Sequence, residues 1–352
     1  MNHRSLALLM AAALSLPPGT CLAQEKPAAG TAAPEPLPEP LTAPDSPGTR
    51  RALIICGLPG DADHRKLFAE SLELLYAGLV KQHGFAAANL HLLWGDKPTE
   101  KDGDGVRASR TVASRETIAA AAGTLRKALK PEDTLWVFVL GHAHYDGRYS
   151  WLNVEGNDIQ QLEFGRLFEG LRCREQVFFM TTAASGFYSK PLAAPGRIVI
   201  TATEPDLEVN ETLFPHRLAR AIGSPPHAAE LDRDGDGRHT LLDLYLLTAR
   251  DTAQEYATGQ LLATEHSLID DNGDGRGTEV QMDYLPEELG GRRRPGRPTT
   301  PTNLKGDGAL AQRTVLPFLQ LPPAPKPEEK KTEEKKDDAK QDDAKQTANS
   351  EG

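Results

Sequence analysis

Short apolar runs alternate with helix-period patterns through the middle of this chain, and that alternation restricts its fold more than any other feature. Arg51-Ala-Leu-Ile-Ile-Cys-Gly57 is apolar without a break, as expected of a strand covered on both faces. From Asp63 to His83 the period changes. Phe68, Leu72, Leu75 and Leu79 make one helical stripe, and Gly84 is placed to end it. Leu90–Trp94 reads as a second strand. Ser114 is a good N-cap for a helix carrying Ile118, Ala122, Leu125 and Leu129, which Pro131 stops. Strands at Leu135–Leu140, Gln176–Met180 and Arg197–Ala202 follow, with an edge strand or hairpin arm at Tyr149–Val154. Helices are expected at Asp158–Leu171, near Glu211–Gly223 and at Leu241–Gly259. Repeated strand–helix–strand order predicts a three-layer α/β/α sandwich with a mostly parallel sheet. Chemistry in such sheets sits at the carboxyl ends of strands, here Gly57–Gly60, Gly141–His144 and Thr181–Gly186.

The flanks are of a different kind. Arg4, the apolar run Leu6–Leu16 and the small residues before Gln24 have the pattern of a secretory signal over 1–23. The expectation is export, to the periplasm or outside the cell. Residues 24–49 are a Pro/Ala-rich linker, and 326–352 a Lys/Glu/Asp-rich tail with little apolar surface to bury. The α/β domain is assigned to 50–224, an EF-hand-like helical appendage to 225–285 and an irregular Pro/Gly/Arg-rich segment to 286–325. No segment has the roughly 18 consecutive apolar residues of a membrane span. With a net charge of −10 and no sustained basic face, nucleic acid is not an expected partner. Cys56 and Cys173 either pair or stay as thiols.

His142 ends the third strand. Thr181-Thr-Ala-Ala-Ser-Gly186 ends the fourth, about forty residues later. A buried strand ending in His-Gly, then one ending in Cys, a small or acidic residue and Ser-Gly, is the signature of the caspase and legumain clan of cysteine peptidases. The segment from Arg51 to Gly223 resembles that clan, most closely its legumain side. Thr201-Ala-Thr-Glu204 is similar to its substrate-side strand. The resemblance implies that His142 stands at the catalytic histidine and Ala183 at the nucleophilic cysteine. Ala143 replaces the usual glycine after the histidine. A methyl group cannot attack a carbonyl, and losing the nucleophile of a catalytic unit removes on the order of 10⁶-fold in rate. Ser185 or Thr182 are the alternative nucleophiles, although Thr182 is expected to face away from position 183. His142 and His144 have no carboxylate or cysteine cluster beside them to make a metal site.

Asp232-Arg-Asp234-Gly-Asp236-Gly237-Arg238-His239-Thr240-Leu-Leu-Asp243 has the spacing of an EF-hand loop: carboxylates at positions 1, 3, 5 and 12, glycine at 6. Arg238, at position 7, would offer its backbone carbonyl. Calcium is the cofactor this implies. Asp270, Asn272 and Asp274 repeat the first half of the pattern more weakly, with Gln281 at position 12. An ordinary Asp-Gly turn is the alternative for either loop. Three functions follow: an inactive peptidase-like module holding a peptide or protein in its former cleft, a hydrolase with a hydroxyl nucleophile, or a calcium-stabilised structural protein.

Overall fold

The computed structural model describes residues 48–95, 111–293 and 306–323. The expected signal, the linker up to residue 47 and the charged tail lie outside the described residues. The first apolar run is β1 (Arg50–Cys56). It pairs in parallel with β2 (Leu90–Trp94) on one side and β4 (Thr134–Leu140) on the other. β3 (Thr111–Val112) edges β2, and β8 (Glu175–Met180) and β9 (Arg197–Thr201) continue beyond β4, all in parallel. β10 (Leu268–Asp270) and β11 (Thr278–Glu279) close that side antiparallel. The result is an eight-stranded, mostly parallel sheet in the order β11-β10-β9-β8-β4-β1-β2-β3. A small antiparallel sheet of β5 (Ala143–Tyr145), β6 (Ser150–Leu152) and β7 (Ile159–Gln160) stands apart from it.

Successive strand residues face opposite ways, and the two parities build two cores. Ile54, Trp136, Phe138, Val177 and Phe179 join α1 (Ala62–Lys81), α5 (Phe214–Gly223) and α7 (Leu241–Thr258). Leu53, Ile55, Val137, Val139 and Phe178 join α2 (Arg115–Ala128), α3 (Gln161–Leu167) and α4 (Ser189–Leu192). Both faces are therefore covered, giving the expected three-layer sandwich. Each fully buried Leu, Ile or Phe contributes about 1.5–3 kcal/mol. The close α1–α5 packing depends on Gly78, where a Cβ would lie 2.3 Å from the Ile222 carbonyl oxygen.

Three expectations change. The helix expected over 158–171 is only Gln161–Leu167, because Ile159 and Gln160 pair with Leu152 and Trp151. The helix expected from Glu211 begins at Phe214, since the chain before it is a loop walling the site described below. The 225–285 segment is joined to the sheet more closely than an appendage. Leu241, Leu244 and Tyr245 of α7 belong to the main core, and β10 pairs with β9. All described residues lie in one compact unit. Cys56 and Cys173 sit at opposite ends of their strands and form no disulfide; burial pushes the Cys173 thiol up to about 12.

Residues 306–323 form a strap that includes α8 (Ala309–Arg313). Leu316 N–H donates to His239 O and Leu319 N–H to Gln82 O, so the strap runs from the amino end of α7 to the carboxyl end of α1. There it covers His83, whose ring meets Phe318 edge-on at 4.7 Å.

Candidate functional site

The chain leaves β1 toward β2 but leaves β4 toward β8, so the strand order reverses between these two neighbours. A crevice opens at the carboxyl end of such a pair. His142 stands there, immediately after β4. Its Nε2 is 3.1 Å from the carbonyl oxygen of Pro59, in the loop after β1. A carbonyl only accepts, so Nε2 carries the proton and Nδ1 of the neutral ring keeps the lone pair. Ala183, after β8, lines the same small pocket as His142, together with Phe68, Val209, Glu211 and Pro215. Two positions forty-one apart in sequence thus meet because β4 and β8 are adjacent.

The hydroxyls near Ala183 are committed elsewhere. Ser185 is fully buried, and its Oγ accepts the Ala202 N–H at 3.0 Å and the Thr203 N–H at 3.2 Å. It ties the turn to the end of β9 and does not face the pocket's histidine as a nucleophile must. Thr182 is also buried and donates to the Ala183 carbonyl oxygen. The hydroxyl-nucleophile alternative therefore finds no support in the geometry. His144 is turned away from His142 and stacks on Trp151, with Nδ1 2.8 Å from Asn153 Oδ1.

Sequence reasoning missed the charged groups around the pocket. Asp61, the N-cap of α1, accepts from the backbone N–H groups of Asp63 and His64. His64 lies with Nδ1 2.7 Å from Asp61 Oδ2 and Nε2 2.5 Å from Glu211 Oε2, its ring 4.8 Å from that of His142. Ionised carboxylates only accept, so this ring donates from both nitrogens as the imidazolium. The Asp61 hydrogen bond, then Glu211, hold its pKa above the usual value. Asp61 and His64 form a local i, i+3 pair, but Glu211 is 147 residues away and no spacing signals it.

The wall carrying Glu211, residues 204–213, is clamped at both ends by Glu265 and His266. Glu208 accepts from the His266 N–H at 3.0 Å and pairs with its Nδ1. Glu265 is buried and accepts from the N–H groups of Leu213 (2.7 Å) and Phe214 (3.3 Å) at the start of α5. Burial pushes its carboxyl up to about 7. The Glu208 carbonyl in turn accepts the N–H of Ala184, which adopts a left-handed conformation (φ 50°) beside Ala183. Thr212 Oγ1 donates to Thr181 O at 2.6 Å, tying the wall to the end of β8.

The 232–243 loop lies between a short helix, α6 (Ala228–Leu231), and α7. One carboxylate oxygen each of Asp232, Asp234 and Asp236 falls within 4.8 Å of the other two. Asp232 accepts from the Gly235 and Gly237 N–H groups, and Asp234 from that of Asp236. Burial, and then the charges of Asp243 and Asp236, push Asp234 up to about 6. Arg238 contributes more than the expected carbonyl: its guanidinium pairs with Asp236 Oδ2 at 2.6 Å. Asp243 is almost fully buried. Its Oδ1 accepts from the N–H groups of Arg233 and Asp234, and its Oδ2 from the N–H and hydroxyl of Thr240, the N-cap of α7.

The second loop has the same first half. Asp270 accepts from Gly273 and Gly275, Asn272 from Asp274, and Asp274 from Arg276. Its second half differs. The loop joins β10 to β11, and only a single 3-10 turn, Gln281–Asp283, follows in place of an α-helix. Gln281, at position 12, bonds the Ser267 N–H and the Glu265 carbonyl instead.

No protein-family model matches the chain, and no curated protein matches it either.

Proposed function

We propose that this chain is an exported, catalytically inactive homologue of the caspase and legumain peptidases that holds a peptide or protein segment in its former substrate cleft. One observation carries the proposal. His142 and Ala183 line a common pocket at the carboxyl ends of adjacent parallel strands, with a methyl group where the mechanism needs a thiolate. The histidine is oriented, but there is nothing for it to deprotonate. Export rests on the pattern of residues 1–23, and a mature amino terminus near Gln24 is expected.

The wild-type chain is expected neither to hydrolyse a peptide library nor to label with thiol-directed peptidase probes. Ala183→Cys should gain labelling that disappears when His142→Ala is added. Wild-type turnover abolished by Ser185→Ala would instead identify a hydroxyl nucleophile and sink the proposal.

Calcium in the 232–243 loop belongs to the same proposal. It is supported by the three converging carboxylates of Asp232, Asp234 and Asp236; Asp243, at position 12, lies outside that group, with both oxygens taken by backbone N–H groups and the Thr240 hydroxyl. A cation among the three relieves their repulsion in the folded chain only. At about 1 mM calcium, a site with a dissociation constant of about 10⁻⁴ M adds about 1.4 kcal/mol. Scanning calorimetry should then show Tm rising by about 3–5 °C. Asp232→Ala with Asp236→Ala should remove most of that rise. An unmoved melting curve in millimolar calcium, with no binding heat, makes the loop an Asp-Gly turn. The 270–281 loop, lacking a position-12 carboxylate, is the weaker candidate.

A further inference from the structure

We propose that the His142–Ala183 pocket takes a cationic side chain of lysine or arginine type from an extended peptide, with Glu211 as the specificity-determining carboxylate. The inference rests on the pocket being a peptide site and adds what that peptide must carry. Such a side chain has an apolar stem and a charged tip, and the pocket offers both environments. Phe68, Val209, Pro215 and the Ala183 methyl are surfaces for methylenes. Glu211 is the one carboxylate among the residues that line it.

Glu211 is held ready for a cation. His64 fixes its Oε2, and Asp61 fixes His64 from the other side. Two carboxylates therefore share one imidazolium, leaving this trio one negative charge in excess. Glu211 Oε1 has no hydrogen-bond partner among the described residues. The rest of the wall adds to the field, because Glu204-Pro-Asp206-Leu-Glu208-Val-Asn-Glu211 contains four acids and no Lys or Arg. His266 pairs directly with Glu208, and Arg292 with Glu279 and Asp283. A concave site walled by one sign of charge concentrates the opposite sign.

Other ligand classes fit less well. An acidic side chain would meet Glu211, and no Lys or Arg is among the described residues that line the pocket. His142 already gives its Nε2–H to the Pro59 carbonyl oxygen. A purely apolar side chain would fill the walls but desolvate Glu211 Oε1 without replacing its water, which is unfavourable.

The test uses the full chain and four peptides, acetyl-Ala-Ala-X-Ala-Ala-amide with X lysine, arginine, norleucine or glutamate, titrated by calorimetry at low and high salt. Lysine and arginine peptides should bind at least about tenfold more tightly than norleucine, as expected for one charge-assisted contact of about 1.4 kcal/mol or more. The margin should narrow at high salt. Glu211→Gln should erase the advantage of lysine over norleucine, while Glu70→Gln, on the exposed side of α1, should leave it intact. Melting curves report whether each variant folds, and Ala183→Leu, which fills the pocket, should weaken all four peptides. Equal binding of all four to the wild type, reduced by Ala183→Leu, overturns the charge preference and leaves the pocket a peptide site. Binding of none overturns both.

Discussion

Between pH 7.5 and pH 5 the wild-type chain will lose about 2 kcal/mol of stability relative to a His83→Phe variant. His83 is fully buried between Trp136 and Phe318, and neither ring nitrogen has a hydrogen-bond partner among the described residues. Burial, and then the charge of Arg50, lower its pKa to about 3. The unfolded chain returns it to about 6.5. Between these values the unfolded state binds the extra proton, so stability is complete above about pH 7 and drains as the pH falls toward 3. Glu265, Asp234 and Asp307, whose pKa values are raised, work in the opposite direction. For that reason the difference between variant and wild type is the quantity to measure, by urea denaturation at each pH. A constant difference across that range would mean that His83 takes up its proton in the folded state.

Asp243→Ala will cost about 3 kcal/mol and lower Tm by roughly 6–12 °C without calcium. The carboxylate receives the N–H groups of Arg233, Asp234 and Thr240 and the Thr240 hydroxyl. Truncation leaves these donors in a buried setting with no acceptor and removes half of the capping box at the start of α7. Asp232→Ala should cost far less, since its two acceptor bonds lie at the exposed turn. Similar melting temperatures for the two variants would show that Asp243 does not hold α7 to the loop.

The sequence was readable where local rules and tertiary packing agree. Continuous apolar runs named the central strands because both faces are covered. Asp61 and Ser114 capped α1 and α2, although only Ser114 was foreseen. The pairing of His142 with Ala183 was expected from the resemblance, and the adjacency of β4 and β8 brings the two to one pocket. What stayed hidden depends on contacts distant in sequence. Glu211 gains its place from His64, and Glu265 from the start of α5, neither marked by any spacing. The second Asp-Gly loop shows the same limit of local rules. Its first six residues dictate the turn, as in the first loop, but the following chain pairs with β10 instead of turning into a helix. Likewise Ile159 and Gln160 satisfy a helical pattern, yet an available strand edge claims them.

The strap has a consequence for biogenesis. Gln320 bonds to Gln82 across 238 residues of chain. At synthesis rates of about 5–20 residues per second, roughly 12–50 seconds separate the emergence of α1 from that of the segment that seals its carboxyl end. During that interval the ring of His83 has no Phe318 to cover it. The nascent chain therefore presents an apolar surface around His83 that a holdase can grip, and it loses that handle only when the strap arrives.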